Sequence, residues 1–133
     1  MFSFFTAKEA NDALPDVIKK FEYSLAKKND ITKIEKELQL TVSTTNSFEK
    51  YMELKQKLNT AITKFYQSIE ILESTGVMIK SIDQGLLDFP SKRFDEEVCL
   101  CWKHGETEIK FWHDRESGFM GRKPIEVNDD SLV

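Results

Sequence analysis

Residues 99–113 have the sequence CLCWKHGETEIKFWH, which contains every cysteine, tryptophan and histidine of the 133-residue chain. Strand-forming residues flank Gly105 and Glu106, and a glycine followed by a polar residue favours a two-residue type II′ turn. The stretch therefore predicts a β-hairpin with its tip at these two residues. Whether the hairpin holds a metal site, a catalytic site or only a small core depends on how its two arms pair.

The pairing follows from counting outward from the predicted turn, and it divides the side chains between two faces. One face carries the residues that would pack on a core: Val98, Leu100, Trp102, Ile109, Phe111 and His113. The other face carries Cys99, Cys101, Lys103, Glu108, Lys110 and Trp112. His113 is thus expected on the face opposite to both cysteines, and Lys103 is expected to form a cross-strand ion pair with Glu108.

This register disfavours a metal site. Structural zinc sites usually place paired cysteines further apart and on a turn, whereas a single residue separates Cys99 from Cys101 within a strand. His104 is expected at the rim of the hairpin and His113 on its other face, so these side chains would not surround one ion. We expect no bound metal and no cofactor.

The same register disfavours catalysis by a cysteine. Lys110, expected opposite Cys101, would lower the pKa of the thiol, but no histidine is expected on that face to act as its base. A structural role is therefore the favoured interpretation of Cys101. His113, on an apolar face, is typical of a core histidine whose ring nitrogens bond to the backbone or to a carboxylate.

Arg122 belongs to a glycine-spaced stretch, residues 118–124, with the sequence GFMGRKP. Glycine lets the backbone approach a ligand closely, and a guanidinium group can donate two parallel hydrogen bonds to a carboxylate or a phosphate. Alternatively, Arg122 closes the fold by pairing with Asp88 or Glu106. The residues alone leave both interpretations open.

The N-terminal half of the chain predicts two long helices. Thr6 and Glu9 form a capping box that starts the first helix at about Ala7. Pro15 lacks an amide proton and crowds the preceding turn, so we expect a kink or a short break near Leu14.

Apolar residues at helical spacing continue the first helix to the polar link at residues 41–47. Asn46, followed three residues later by Glu49, predicts the N-cap of the second helix, and Gly76 predicts its end. Because the link is short, the two helices are expected to pack antiparallel.

The remaining third predicts a small sheet. Residues 77–80 predict a strand, residues 83–85 a turn, and residues 88–90 an extended loop, because Pro90 restricts the residue before it. The predicted fold class is α+β: a long antiparallel helical hairpin, with its first helix kinked at Pro15, followed by an antiparallel sheet of about three strands.

The predicted organisation is a single domain over residues 1–125. The helical hairpin takes about residues 7–75 and the β-hairpin region about residues 77–125. Residues 126–133 are polar and acidic, and a disordered tail is expected there.

The composition is that of an ordinary globular protein, with 40% hydrophobic and 32% charged residues and a formal net charge of −4. Lysines lie among acidic residues, so no basic face for duplex nucleic acid is expected. No apolar run approaches the length that crosses a membrane, and the N-terminus lacks the pattern of a signal peptide. Two cysteines so close in a strand make a poor disulfide, so free thiols and a cytoplasmic location are expected.

Five short motifs together resemble domain-of-unknown-function family 2203, which comprises small proteins of archaea and bacteria. They are GLLDFP at 85–90, LCW at 100–102, GE at 105–106, WH at 112–113 and, with x for any residue, GFxGRxP at 118–124. The N-terminal residues Phe5, Thr6, Glu9, Ala10, Asn11, Leu14 and Pro15 are similar to the opening of that family. The resemblance implies no activity. It implies that the typical positions of the family are Lys80, Asp88, Cys101, Trp102, Glu106, Trp112, His113 and Arg122.

Two functions are considered. The first is a non-enzymatic interaction or regulatory protein that forms a homodimer or binds a protein partner through its helices. In that hypothesis a polar cluster on the sheet binds a small acidic ligand or another chain, and its members are Lys80, Asp88, Trp102, Glu106, Trp112, His113 and Arg122. The alternative is a small hydrolase or metal-assisted enzyme that uses His113, Glu106 and Asp88, which requires His113 to lie within hydrogen-bonding reach of the carboxylates.

Overall fold

The computed structural model describes residues 4–126 and contains two long helices that pack together, followed by an antiparallel sheet. The helices are α1 (Ala7–Thr44) and α2 (Phe48–Glu73). The strands are β1 (Met78–Ser81), β2 (Leu86–Arg93), β3 (Glu96–Lys103), β4 (Phe111–Asp114) and β5 (Lys123–Pro124), and each pairs with the next. The α+β class is confirmed, although the sheet has five strands instead of about three. Residues 127–133 of the predicted tail lie outside the described part of the chain.

The predicted capping box is present at the start of α1, where Thr6 and Glu9 exchange two hydrogen bonds of 2.9 and 3.0 Å. Of the predicted kink or short break near Leu14, the break is wrong, because α1 continues through Pro15. Leu14 and Val17 on either side are buried in the core, and this packing holds the turn despite the missing amide. The N-cap of α2 is Ser47 and not Asn46, since the Ser47 hydroxyl accepts from the Lys50 amide.

The helices cover only one face of the sheet and extend beyond it. A single core joins the first part of α1, the end of α2 and alternate residues of the strands: Ala10, Leu14, Val17, Phe21, Leu72, Val77, Ile82, Leu87, Phe89, Val98, Leu100, Trp102, Ile109 and Trp112. In α1 no residue after Ser24 is buried. The ends of α1 and α2 distant from the sheet therefore pack only on each other.

Residues 88–90 belong to β2, so the prediction of an extended loop there is wrong. The ladder with β1 ends at Asp88, and beyond it β2 pairs only with β3 on one side. On the β1 side no strand pairs with Pro90, so the missing amide of proline costs no ladder hydrogen bond there. On that side the Pro90 carbonyl accepts a hydrogen bond from the Phe5 amide at 2.7 Å.

The predicted register of the second hairpin is wrong by one residue. Cys101 pairs with Phe111 and Cys99 pairs with His113, and residues 104–110 form a longer connection than a two-residue turn. A shift of one residue moves every side chain of a strand to the opposite face. His113 therefore shares a face with the cysteines, and Trp112 packs on the helices.

The predicted Lys103–Glu108 ion pair is replaced by a contact of 3.5 Å between Glu108 and Lys110. Lys110 also no longer lies opposite Cys101, so the predicted lysine effect on that thiol is wrong.

Asn11 of α1 binds the connection between β3 and β4 (residues 104–110) and so keeps these residues from pairing as a tight β-hairpin. Its side-chain oxygen accepts from the Ile109 amide at 2.6 Å, and its amide donates to the Ile109 carbonyl at 3.4 Å. Ile109 is buried in the core shared with the helices. These contacts explain why the chain does not pair directly outward from Gly105.

Replacing Asn11 by Ala is expected to lower the free energy of unfolding by about 1 to 3 kcal/mol, because the Ile109 amide loses its acceptor. Urea unfolding measures this change. Asn59, exposed on α2, provides the control: Asn59→Ala removes the same group and should have little effect. Equal losses in the two variants would contradict the role assigned to Asn11.

Candidate functional site

A polar cluster lies on the outer face of the sheet, away from the helices. Asp88 of β2 pairs with Cys101 of β3, and His113 of β4 pairs with Cys99 of β3. Because side chains of paired residues lie on the same face, the corrected register brings these strands' polar groups together. Asp88, Cys101 and His113 are each no more than 2% exposed.

The three side chains form a compact donor set. One donor atom each of Asp88, Cys101 and His113, namely an oxygen, a sulfur and a nitrogen, lie within 4.8 Å of one another. His113 Nε2 lies 3.0 Å from Asp88 Oδ1. His113 Nδ1 lies 2.7 Å from the Asp114 carbonyl oxygen, and since a carbonyl only accepts, Nδ1 is the donor. Nε2 therefore points into the cluster.

The second oxygen of Asp88 is buried and accepts no hydrogen bond from any residue between 4 and 126. Its nearest cation is Lys80, whose Nζ lies 4.0 Å away on a half-exposed side chain. A buried carboxylate oxygen without a partner is costly, so this group has capacity for a further cation.

The hydrogen bond to Asp88 raises the pKa of His113 to about 10, and the neighbouring Cys101 adds to the effect. Without a metal the imidazole is consequently charged at neutral pH, and its proton lies between Nε2 and the carboxylate. Burial, together with the charge of Asp88, raises the pKa of Cys99 to about 12. Cys99 therefore stays a neutral thiol.

A second polar pair lies beside the cluster. Arg122 donates two hydrogen bonds to the Glu106 carboxylate, at 2.9 and 3.3 Å. The same guanidinium lies 3.9 Å from the centre of the Phe111 ring and 4.0 Å from Cys101 Sγ. Of the two interpretations left open by the sequence, the structure places Arg122 in a pair with Glu106.

The seven predicted site residues thus divide into three groups. Lys80, Asp88 and His113 come together, and Glu106 pairs with Arg122. Trp102 and Trp112 lie on the helix side of the sheet in the core. Within the described residues no hydrogen bond or ion pair joins Glu106 to His113, so the carboxylate that meets His113 is Asp88 alone.

The predicted register disfavoured Cys101 as a site residue, whereas in the structure Cys101 is a member of the donor set. The predicted register placed His113 on the face opposite to Cys101. In the observed pairing His113 lies on the same face as Cys101. The pairing depends on a contact between Asn11 and Ile109, which are 98 residues apart, so no local signal would have corrected it.

The cluster could hold a divalent metal ion. Thiolate, imidazole nitrogen and carboxylate are ligands of the zinc class of ions. Metal-binding histidines usually donate their other ring N–H to a carbonyl or carboxylate, as His113 does to Asp114. Three protein ligands leave a coordination position open, and a pocket of about 170 Å³ reaches all three side chains.

Neither helix between residues 4 and 126 is long and apolar enough to cross a membrane. The model of a family described as an uncharacterised conserved protein, DUF2203, matches residues 3–125. No curated protein and no solved structure matches the chain.

Proposed function

The chain belongs to the uncharacterised DUF2203 family, which supplies no activity, and we propose from the site alone that the protein is a metal-dependent hydrolase. In this proposal Asp88, Cys101 and His113 bind one divalent ion of the zinc class, which activates water. The observation that carries the proposal is the convergence of these three donor atoms, together with the buried Asp88 oxygen that accepts no hydrogen bond from residues 4–126.

The set of Asp88, Cys101 and His113 differs from that of a structural zinc site. Structural sites usually fill all four positions with protein ligands, whereas catalytic sites keep one for water. Zinc lowers the pKa of bound water to about 7, which provides hydroxide at neutral pH. Because all three side chains line the pocket, a substrate and a water molecule would reach an ion held between them.

The pocket supplies further groups for hydrolysis. Glu116 lines it with an exposed carboxylate that can accept a proton from attacking water. Lys80 and Arg115 line it as well. Lys80 lies 4.0 Å from Asp88 and Arg115 pairs with Glu97, and their positive charges at the pocket favour a substrate with an anionic group. Phe119 supplies an apolar wall.

Titration of the protein with Co²⁺ tests the binding step. We expect one ion per chain and a thiolate-to-metal charge-transfer band, because Cys101 supplies sulfur to the ion. Cys101→Ser should lose the band and lower the affinity by more than about 100-fold, since it removes a direct ligand, whereas loss of a supporting residue typically costs about 10- to 100-fold.

Cys99→Ser provides a matched control. Cys99 is buried on the same strand and the same face and lies close to Asp88, but it is not part of the donor set. This variant should keep the band and the affinity. Loss of Co²⁺ binding in both variants, or in neither, would contradict the site.

Hydrolysis is tested with a small activated ester such as p-nitrophenyl acetate. The zinc-loaded protein should hydrolyse it, and chelation should abolish the activity. The wild type treated with a chelator still contains Cys101. Any ester cleavage that remains in it is therefore reaction with the thiol, and the activity that is lost depends on the metal. If the protein binds zinc but the ion adds no turnover with esters, amides or phosphate esters, the binding step stands and the hydrolase assignment fails.

A further inference from the structure

A groove of about 560 Å³ runs between α1 and α2 in the part of the hairpin that lies beyond the sheet. Its floor includes Ile34 and the buried Ala61, and charged side chains form most of its walls. On α1 these are Lys27, Asp30, Lys33 and Glu37, and on α2 they are Glu53, Lys57 and Lys64.

The charges along the α1 wall alternate in sign. From the sheet towards the tip the order is Lys27, Asp30, Lys33 and Glu37. Lys27 and Asp30 also lie 3.6 Å apart in an ion pair within the chain. If a second α1 lies against this wall in the opposite direction, Lys27 meets Glu37 and Asp30 meets Lys33, and each pair forms twice. If the second α1 ran in the same direction, each charged residue of the wall would face its own counterpart, which has the same charge.

On α2 the charged residues at the two ends of the wall are opposite in sign. Glu53 lies at the tip end and Lys64 at the sheet end, with Lys57 between them. Antiparallel contact places Glu53 opposite Lys64 of the other copy. The centre of this arrangement lies near residue 59 of α2, and the centre on α1 lies near residue 32. Since residues 45–47 join the helices, these centres are at the same height, and one twofold axis serves both walls.

We propose that two copies of the chain dimerise through this groove, antiparallel and with a twofold axis near residues 32 and 59. The order of charge selects a second copy over another partner, because the α1 wall and the two ends of the α2 wall are complementary to their own reverse, and only Lys57 has no acidic counterpart. The charged stretch of α1 spans about 15 Å, so the contact is small and the dimer is weak. Its stability depends on ion pairs at the surface and therefore falls as salt is added.

Charge-reversal variants test the geometry. Glu37→Lys with Glu53→Lys makes both ends of the groove basic, and Lys27→Glu with Lys64→Glu makes both ends acidic. Each double variant should be monomeric by sedimentation at low salt, where the wild type sediments as a dimer. Mixed together, the two variants should form a heterodimer, since every basic end then meets an acidic end.

A third double variant supplies the control for charge alone. Glu35→Lys with Glu49→Lys makes the same change in net charge on exposed residues that do not line the groove, and it should dimerise as the wild type does. Circular dichroism verifies that all variants fold. The Co²⁺ titration should be unchanged throughout, so this proposal and the metal site fail or succeed separately.

Three results would overturn the proposal. One is a wild type that stays monomeric at millimolar concentration in low salt, which would leave the groove to another partner. Another is a mixture of the two folded variants that remains monomeric. The third is a wild-type dimer that the charge reversals do not weaken.

Discussion

Replacing Asp88 by Ala is expected to destabilise the metal-free protein by about 3 to 5 kcal/mol at pH 7, the usual cost of removing one partner of a buried ion pair. Asp88 and His113 are 3.0 Å apart, and the His113 side chain is 1% exposed. Without Asp88 the imidazole must either lose its proton or remain charged and unpaired in the interior. Urea unfolding in the presence of a chelator measures the change.

The destabilisation should depend on pH, and its direction follows from the pKa of His113. The pKa is about 6.5 in an unfolded chain and about 10 in the folded protein. The folded state therefore binds the proton more tightly, and the stability this supplies is complete below about pH 6.5 and is lost as the pH rises through about 10. The difference between wild type and Asp88→Ala should consequently narrow between pH 7 and pH 10.

Asp83→Ala is the control for a surface carboxylate. The side chain of Asp83 is 72% exposed and pairs with Lys28 at 2.8 Å. Exposed pairs contribute about 0 to 1 kcal/mol, so this variant should unfold almost as the wild type does. If Asp88→Ala were no less stable than Asp83→Ala, or if its deficit were the same at pH 6 and pH 10, the buried ion pair would be refuted.

The helices could be predicted from sequence because their signals are local. The capping box at Thr6 involves residues three apart, and the apolar spacing of α1 and α2 repeats within each helix. Errors arose where tertiary packing outweighs a local preference. Pro15 does not interrupt α1, since Leu14 and Val17 beside it are buried.

The site could be predicted only in part, because its geometry depends on register. Asp88 and His113 were candidates because the family resemblance implies both positions, but their contact requires β2, β3 and β4 to align. That alignment depends on the length of the connection at residues 104–110, which Asn11 holds from a distant helix. The turn preference at Gly105 predicted a register that differs by one residue from the observed one. That difference placed His113 on the wrong face of the sheet in the prediction.

The pairing of β2 with β3 places the Trp102 side chain on the face of the sheet that packs on the helices. Its ring is fully buried and lies 5.2 Å from the Phe21 ring of α1 in an edge-to-face arrangement. Its indole nitrogen donates to the Glu106 carbonyl at 2.8 Å, which fixes the start of the connection to β4. Trp102 therefore joins the helices to the sheet from the face opposite to the proposed metal ligands.

Trp102→Ala is expected to lower the free energy of unfolding by about 3 to 5 kcal/mol, the typical cost of removing a large buried aromatic ring. Trp102→Phe keeps most of the ring and loses the indole hydrogen bond, so its expected cost is only about 1 to 3 kcal/mol. Denaturant unfolding distinguishes the two.

Co²⁺ titration of the folded Trp102→Phe variant separates a core role from a role in the site. Trp102 contacts Phe21 and the Glu106 backbone and is outside the donor set, so the variant should bind the ion with wild-type affinity and keep the charge-transfer band. A folded Trp102→Phe protein that no longer binds Co²⁺ would return Trp102 to the polar cluster in which the sequence placed it. Retained binding together with reduced stability would show that the two faces of the sheet serve different purposes, since one holds the fold and the other holds the ion.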